Sequence, residues 1–372
     1  MKKIRLSKSS ISQKEKEAVL EVLDKEFLGM GEEVQKFEKK IQKYLDTDRD
    51  VVCVNTGTSA LHIALEGLGL GEGDEVLVPT ITYVASFQAV SATGATPVPC
   101  EIDPNTLFID VEDAKNRITP NTKAIMAVHY ASSSKGIEEI CRLAEKFNLR
   151  VIEDAAQAFG CFRNGKMVGA IGDIVCFSFD GIKNITSGEG GAVVSSDKKL
   201  IQKIRDIRLL GVEKDSEKRY QGQRSWDFDV KHQGYRYHMS NIMAAIGIAQ
   251  LDRLEQFKEK RQEIAKRYIE QLSDIDEVEF LDFDYENIIP HIFVIKTQQR
   301  DQLREYLLKH NIEVGIHYKP NHLLTKYNLG YSLPIAEKVY EKILTLPCHF
   351  DLSKDEQQFI INTIKNFYRG SE

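Results

Sequence analysis

Residues 151–191 read VIEDAAQAFGCFRNGKMVGAIGDIVCFSFDGIKNITSGEGG. The stretch opens on a short apolar run that ends in two acids, Glu153 and Asp154, with Gln157 three residues further on. A second apolar run, 174–179, carries Ser178 and gives out just before a lone lysine, Lys183, which a glycine-rich tract follows. Both runs have the length and branched-residue content of buried strands. Acid, amide, hydroxyl, lysine and flexible backbone are the parts that hold an aromatic aldehyde cofactor and form an imine with it.

Working outward, strands and helices alternate. Helical spacing is expected over 14–26 and 34–44, the latter with Val34, Phe37, Ile41 and Tyr44 on one face. Strands are expected at 51–54, 75–79, 96–102, 123–129 and 150–153, and helices after N-T-G-T-S-A-L, at 83–93 and at 136–147. This alternation predicts an α/β fold with a mostly parallel sheet covered on both faces, and ligands at the carboxyl ends of its strands. Residues 212–234 are polar and predict a long surface excursion, either a functional loop or a disordered one. One long helix is expected from A-A-I-G-I-A-Q-L to about residue 271, then strands at 293–297 and 314–318 and helices at 300–310 and 355–368. The texture changes near 251–261, which predicts a large domain over 1–250 and a smaller one over 251–372.

The composition excludes several classes. A length of 372 residues with 42% hydrophobic and 28% charged residues is that of a folded chain with a sizeable core. A net charge of −6 argues against nucleic acid or acidic membranes as partners. The N-terminus has basic residues with no apolar segment behind them, unlike a secretory signal, and no run reaches bilayer-spanning length. The six cysteines are scattered with no C-x-x-C pair, which predicts buried free thiols, no metal and a cytoplasmic setting.

Each candidate residue has a plain alternative. Lys183 alone could be a solvated surface lysine, but an apolar strand before it and S-G-E-G-G after it suit a Schiff-base amine, and pyridoxal phosphate is the common partner. Asp154 could cap a helix, or lie opposite a pyridine nitrogen and keep it protonated. In N-T-G-T-S-A-L, Gly57 lets backbone approach a ligand, Thr58 and Ser59 offer hydroxyls, and a helix N-terminus presents free N–H groups to an anion. An ordinary capped helix is the alternative there. Neither a P-loop nor a G-x-G-x-x-G fingerprint is present.

Taken in order, N-T-G-T-S-A-L, P-T-I-T-Y-V-A-S, V-I-E-D-A-A-Q-A-F-G, F-S-F-D-G-I-K-N and S-G-E-G-G resemble the nucleotide-sugar aminotransferases over nearly the whole chain. The resemblance implies fold type I, with a seven-stranded, mostly parallel sheet in the large domain and a smaller C-terminal α/β domain. It implies pyridoxal 5'-phosphate as cofactor and a homodimer with shared active sites. It also implies roles: Lys183 for the imine and proton transfer, Asp154 for the pyridine nitrogen, and Gln157 for the phenolic oxygen. Thr58, Ser59 and Ser178 would hold the phosphate, and Tyr83 would stack on the ring.

Two departures stand out. G-Y-R-Y-H-M-S places Arg236 where relatives commonly carry an asparagine that reaches the neighbouring subunit's cofactor phosphate. Arginine binds phosphate too, so Arg236 is expected at the partner's cofactor phosphate or the substrate diphosphate. H-Y-A-S-S-S-K-G replaces a glycine-containing turn and an acid. The expected activity is transfer of an amino group from L-glutamate to a nucleotide-linked keto-deoxy sugar, a dTDP- or GDP-4-keto-6-deoxyhexose ahead of a 3-keto sugar, for surface polysaccharide. A sugar dehydratase is disfavoured by Lys183 and the absence of clustered cysteines. A non-catalytic cofactor-binding regulator is disfavoured by the complete motif set.

Overall fold

The computed structural model describes residues 3–330 and 332–370. Seven strands form the central sheet: β1 (Asp50–Val54), β2 (Glu75–Pro79), β3 (Thr96–Cys100), β4 (Thr122–Val128), β5 (Arg150–Asp154), β8 (Ile174–Ser178) and β9 (Gly191–Ser195). A small hairpin, β6 (Phe162–Arg163) and β7 (Lys166–Met167), stands apart from it. The sheet order is β1-β9-β8-β5-β4-β2-β3, and only β9 runs antiparallel to its neighbours. The carboxyl ends of β1, β5 and β8 therefore lie along one edge.

Both faces of the sheet are apolar, as strands covered by helices on either side require. Within β1 the side chains alternate: Val51 and Cys53 join a core with Phe37, Phe159, Phe177 and Phe179, whereas Val52 and Val54 join one with Ile63, Val78, Met126 and Ile201. The helix Gly57–Leu68 follows β1, opened by a Thr56 capping box and closed by Gly69 at φ +79.

A second sheet, β10 (Glu279–Phe280), β11 (Phe293–Lys296) and β12 (Ile343–Leu346), is antiparallel throughout. It packs with the helices Leu254–Leu272, Arg300–Lys309 and Lys354–Arg369 around Tyr268, Phe293, Leu303 and Ile361. The helix Leu254–Leu272 serves both parts: Leu254 and Phe257 join the large core, and Ile264, Tyr268 and Leu272 the small one. We propose that the division between the two folding units falls inside this helix. Ile4 also packs in the small core and bridges to Ile312, so the start of the chain runs along the C-terminal part.

Several expectations are corrected. Residues 212–234 are a largely exposed excursion, as expected, but not all loop: they contain the helix Asp215–Tyr220, and Val212 pairs with Val230. The anchor is Arg208, fully buried, which donates to Glu38 Oε1 (2.7 Å), Cys53 O (2.7 Å) and the Tyr220 hydroxyl (2.6 Å). The single long helix is two, Asn241–Leu251 and Leu254–Leu272. The break places Arg253 where it reaches buried Glu15, Nη1 to Oε1 2.7 Å. Residues 314–318 form no strand; one bridge, Gly315 to Thr345, is all that pairs there.

No helix among the described residues is long and apolar enough to cross a membrane. All six cysteines are free thiols, five of them buried.

Candidate active site

Asp154 is the last residue of β5 and is buried. Its Oδ2 accepts from Ser86 Oγ at 2.7 Å, and its Oδ1 from the Ala156 amide at 3.2 Å. Burial pushes its carboxyl pKa up, against the donors Ser86 and Ala156 and the charges of Lys183 and His129. Glu153, one residue earlier, points to the opposite side of the sheet. There it is fully buried between His129 Nε2 (2.8 Å) and Arg163 Nη1 (2.7 Å), a structural ion cluster rather than part of the site.

Lys183 sits in the loop joining β8 to β9, half-buried, with Nζ 3.5 Å from His291 Nε2. Burial lowers its pKa, and Asp154 and Asp180 oppose that shift. The two neighbouring imidazoles are also depressed by burial and by the lysine, His291 well below its ordinary value and His317 to about 4. Both imidazoles thus stay neutral, and the lowered pKa of Lys183 raises the share of its amine that is free to act as a nucleophile.

Gln157 is held from both ends. Its Oε1 accepts from the Ala131 amide at 2.8 Å, and its Nε2 donates to the Tyr318 hydroxyl at 3.1 Å. The Tyr318 ring lies 5.7 Å from that of Tyr83, which precedes the helix Val84–Ala92 and is 59% exposed, an unpacked aromatic face at the site.

The anion-binding end is built where the turn after β1 reaches the end of β8, across the intervening β9. Gly57 has no room for a side chain, since a Cβ there would lie 2.6 Å from that of Ser178. The Gly57 and Thr58 N–H groups precede the first intrahelical bond, Ala60 N to Thr56 O at 3.1 Å. Thr58 is exposed on this turn. The Ser59 hydroxyl is already committed to the helix cap, donating to Asn55 Oδ1 at 2.8 Å, and the Ser59 amide donates to Thr56 Oγ1 at 2.9 Å. Gly57, Thr58 and Ser178 are therefore freer than Ser59 to meet an anion, and Ser59 shapes the turn.

These residues fit pyridoxal 5'-phosphate. A buried, doubly hydrogen-bonded carboxylate suits a ring nitrogen, a helix N-terminus with a close glycine suits a phosphate, and an amine whose pKa burial lowers suits an aldehyde. Arg236 stands elsewhere. It is exposed on a segment that runs antiparallel beside the end of β1, where Asn55 N donates to Tyr237 O at 2.7 Å. Among the described residues no hydrogen bond joins it to the rest of the set.

Sequence reasoning did not assign Ser86, His291, His317 or Tyr318. Ser86 closes the P-T-I-T-Y-V-A-S motif, so its signal was in view; the others come from the C-terminal part, whose approach no local pattern announces. The chain start was missed as well: residues 6–10 line small cavities beside Lys183 and His291.

Fold and donor set together define a pyridoxal-phosphate-dependent transferase of fold type I. The chain belongs to the DegT/DnrJ/EryC1/StrS aminotransferase family, whose profile matches residues 9–365. It is 39% identical over 372 residues to the GDP-perosamine synthase of Escherichia coli O157:H7, with 99% of each chain covered. It is 33% identical to the spore coat polysaccharide biosynthesis protein SpsC of Bacillus subtilis, covering 97% of this chain and 96% of that one. Among solved structures, Spr1654 of Streptococcus pneumoniae in its PMP form superposes with a TM-score of 0.92 at 30% identity, covering 98% of this chain and 99% of that one. The protein is a sugar aminotransferase that uses pyridoxal phosphate.

Proposed function

We propose that this chain transfers the amino group of L-glutamate to a nucleotide-linked 4-keto-6-deoxyhexose, carried by GDP or dTDP, to supply an amino sugar for surface polysaccharide. The name of the 39% identical relative supports a GDP-linked sugar, and that of SpsC supports a polysaccharide destination. The observation that carries the reading is the half-buried amine of Lys183 beside neutral imidazoles, at the sheet edge where Asp154 ends its strand.

Pyridoxal phosphate, when bound, takes the amino group from the donor and passes it on, drawing electrons into its protonated ring. Asp154 holds that ring proton, its own charge steadied by Ser86 and Ala156. Gly57, Thr58 and Ser178 would hold the phosphate, Gln157 the ring oxygen, and Tyr83 would stack on the ring. Lys183 Nζ would hold the cofactor's aldehyde and, when released, would serve as the proton carrier of the transfer. Its lowered pKa leaves more of the amine free to accept a proton than in an ordinary lysine.

The enzyme would work in the cytoplasm as a homodimer. Trp226, 86% exposed, and Phe228, 55% exposed, support a face that a second copy covers. Arg236, exposed beside β1, would reach the partner's cofactor phosphate or the substrate diphosphate.

The test is turnover with glutamate against a panel of nucleotide-linked 4-keto and 3-keto sugars, the aminated carbon being read by NMR. The 4-keto sugars are expected to turn over, and Lys183→Ala to lower the rate by about a thousandfold or more. Turnover of 3-keto sugars alone would overturn the regiochemistry. Turnover of none would overturn the sugar assignment.

A further inference from the structure

We infer that Ser132 is a positioning residue of the cofactor site, its buried hydroxyl fixing Gln157 and His291 at once. The inference rests on the cofactor reading of Gln157 and Lys183 given above.

After β4 the chain makes an unusual move. Ala131 and Ser132 follow one another in left-handed backbone, at φ +49 and +79, and neither is glycine. A side chain in that region is strained, and a glycine would adopt it freely. Strain of this kind persists where surrounding contacts hold it, and such places gather at functional sites. Here the contacts are specific. The left-handed turn aims the Ala131 amide at Gln157 Oε1, 2.8 Å away. Ser132, fully buried, donates its hydroxyl hydrogen to the backbone carbonyl of Gln157 and accepts from the His291 amide at 3.1 Å. His291 in turn lies against Lys183.

One hydroxyl thus joins three segments: the exit of β4, the loop after β5 and the approach to β11. Two of them carry groups of the site. Glycine at position 132 would satisfy the backbone but leave the His291 amide without this acceptor, and a buried unpaired donor is costly. The serine keeps a strained backbone in exchange for a fixed Gln157 and a fixed His291. Partners that orient the groups binding a ligand affect its affinity nearly as strongly as those groups do.

Ser132→Gly and Ser132→Ala separate backbone strain from the hydroxyl. Both lose the two hydrogen bonds; only glycine also loses the strain. We expect both to weaken pyridoxal phosphate binding to the cofactor-free protein by about tenfold or more. We also expect both to change the visible circular dichroism of the bound cofactor, which reports its orientation. Ser132→Gly should melt close to wild type and Ser132→Ala below it.

Wild-type affinity and wild-type visible dichroism in Ser132→Gly would overturn the inference. If Ser132→Gly folds poorly, Ser132→Ala with the same dichroism measurement at saturating cofactor decides: a wild-type band overturns the inference, and an altered one supports it. A wild-type chain that takes up no cofactor overturns the site reading itself, and this inference with it.

Discussion

Two neighbouring carboxylates at the end of β5 have opposite fates because side chains alternate along a strand. Glu153 turns to the side where Arg163 and His129 hydrogen-bond it, and Asp154 to the side where Ser86 and Ala156 do, the side proposed for a ring nitrogen. The raised pKa of Asp154 has a sign that can be tested. A carboxyl whose folded pKa exceeds its unfolded value loses stability as the pH rises past the unfolded value. Asp154→Asn removes that loss. The cofactor-free variant should melt at or above wild type at pH 7, while turnover falls about a hundredfold or more. Thermal melts and kcat measured on the same preparation check both halves, and a destabilised variant would contradict the account.

Lys183 gives the complementary case. Burial lowers its pKa, so its free-amine fraction persists to lower pH than that of an ordinary lysine. The rate of cofactor uptake by the cofactor-free protein should rise with pH and level off below the usual lysine range near 10.5. A midpoint at that ordinary value would show that the amine is not desolvated.

At the scale of elements, the strand–helix alternation and the order of the motifs were legible because each rests on local pattern: apolar runs for β1, β2, β5 and β8, and small residues at the helix after β1. What local pattern could not supply is long-range pairing. The stretch 212–234 reads as polar loop, yet Arg208 and Glu38 draw its helix Asp215–Tyr220 onto the sheet edge. The apparent long helix breaks because Arg253 is held by Glu15, more than two hundred positions earlier. Residues 314–318 have a strand's composition but only a single bridging partner. Within the candidate site, Lys183, Asp154, Gln157 and the turn at Gly57 lie in motifs visible in the sequence, whereas His291, His317 and Tyr318 approach from loops of the C-terminal part.

Two predictions belong to these elements. Arg208→Met leaves buried Glu38 without its guanidinium and should cost about 3–5 kcal/mol in urea unfolding, with faster amide exchange in Asp215–Tyr220. Glu15 is pushed up by burial, but hydrogen bonds from Ser12 and Arg253 outweigh this and hold its pKa at about 2, against an ordinary 4.5. A depressed folded pKa gives stability that is complete above the unfolded value and is lost as the pH falls towards about 2. Glu15→Gln should therefore flatten the acid limb of the stability curve in that window, and an unchanged limb would discount the contact.

For the whole molecule, a shared active site makes a prediction that a self-contained one does not. If Arg236 acts across a dimer, Arg236→Ala and Lys183→Ala chains are each impaired, yet a mixed dimer holds one site with both residues intact. Mixing the two variants under exchange conditions should recover about a quarter of wild-type activity by random pairing. Recovery of none would confine Arg236 to its own chain.

The reversed strand β9 has a consequence for the order of assembly. β1 is the first strand of this sheet to leave the ribosome, but its only neighbour in the sheet is β9, the last to be made. The edge that carries Gly57 and Thr58 must therefore wait for more than a third of the chain before it can dock, a pairing of high sequence separation that forms slowly. Cofactor capture, which needs that edge beside Ser178 and Lys183, then comes late in biogenesis. A nascent chain arrested before Gly191 should remain colourless with pyridoxal phosphate, and one extended past the sheet should turn yellow.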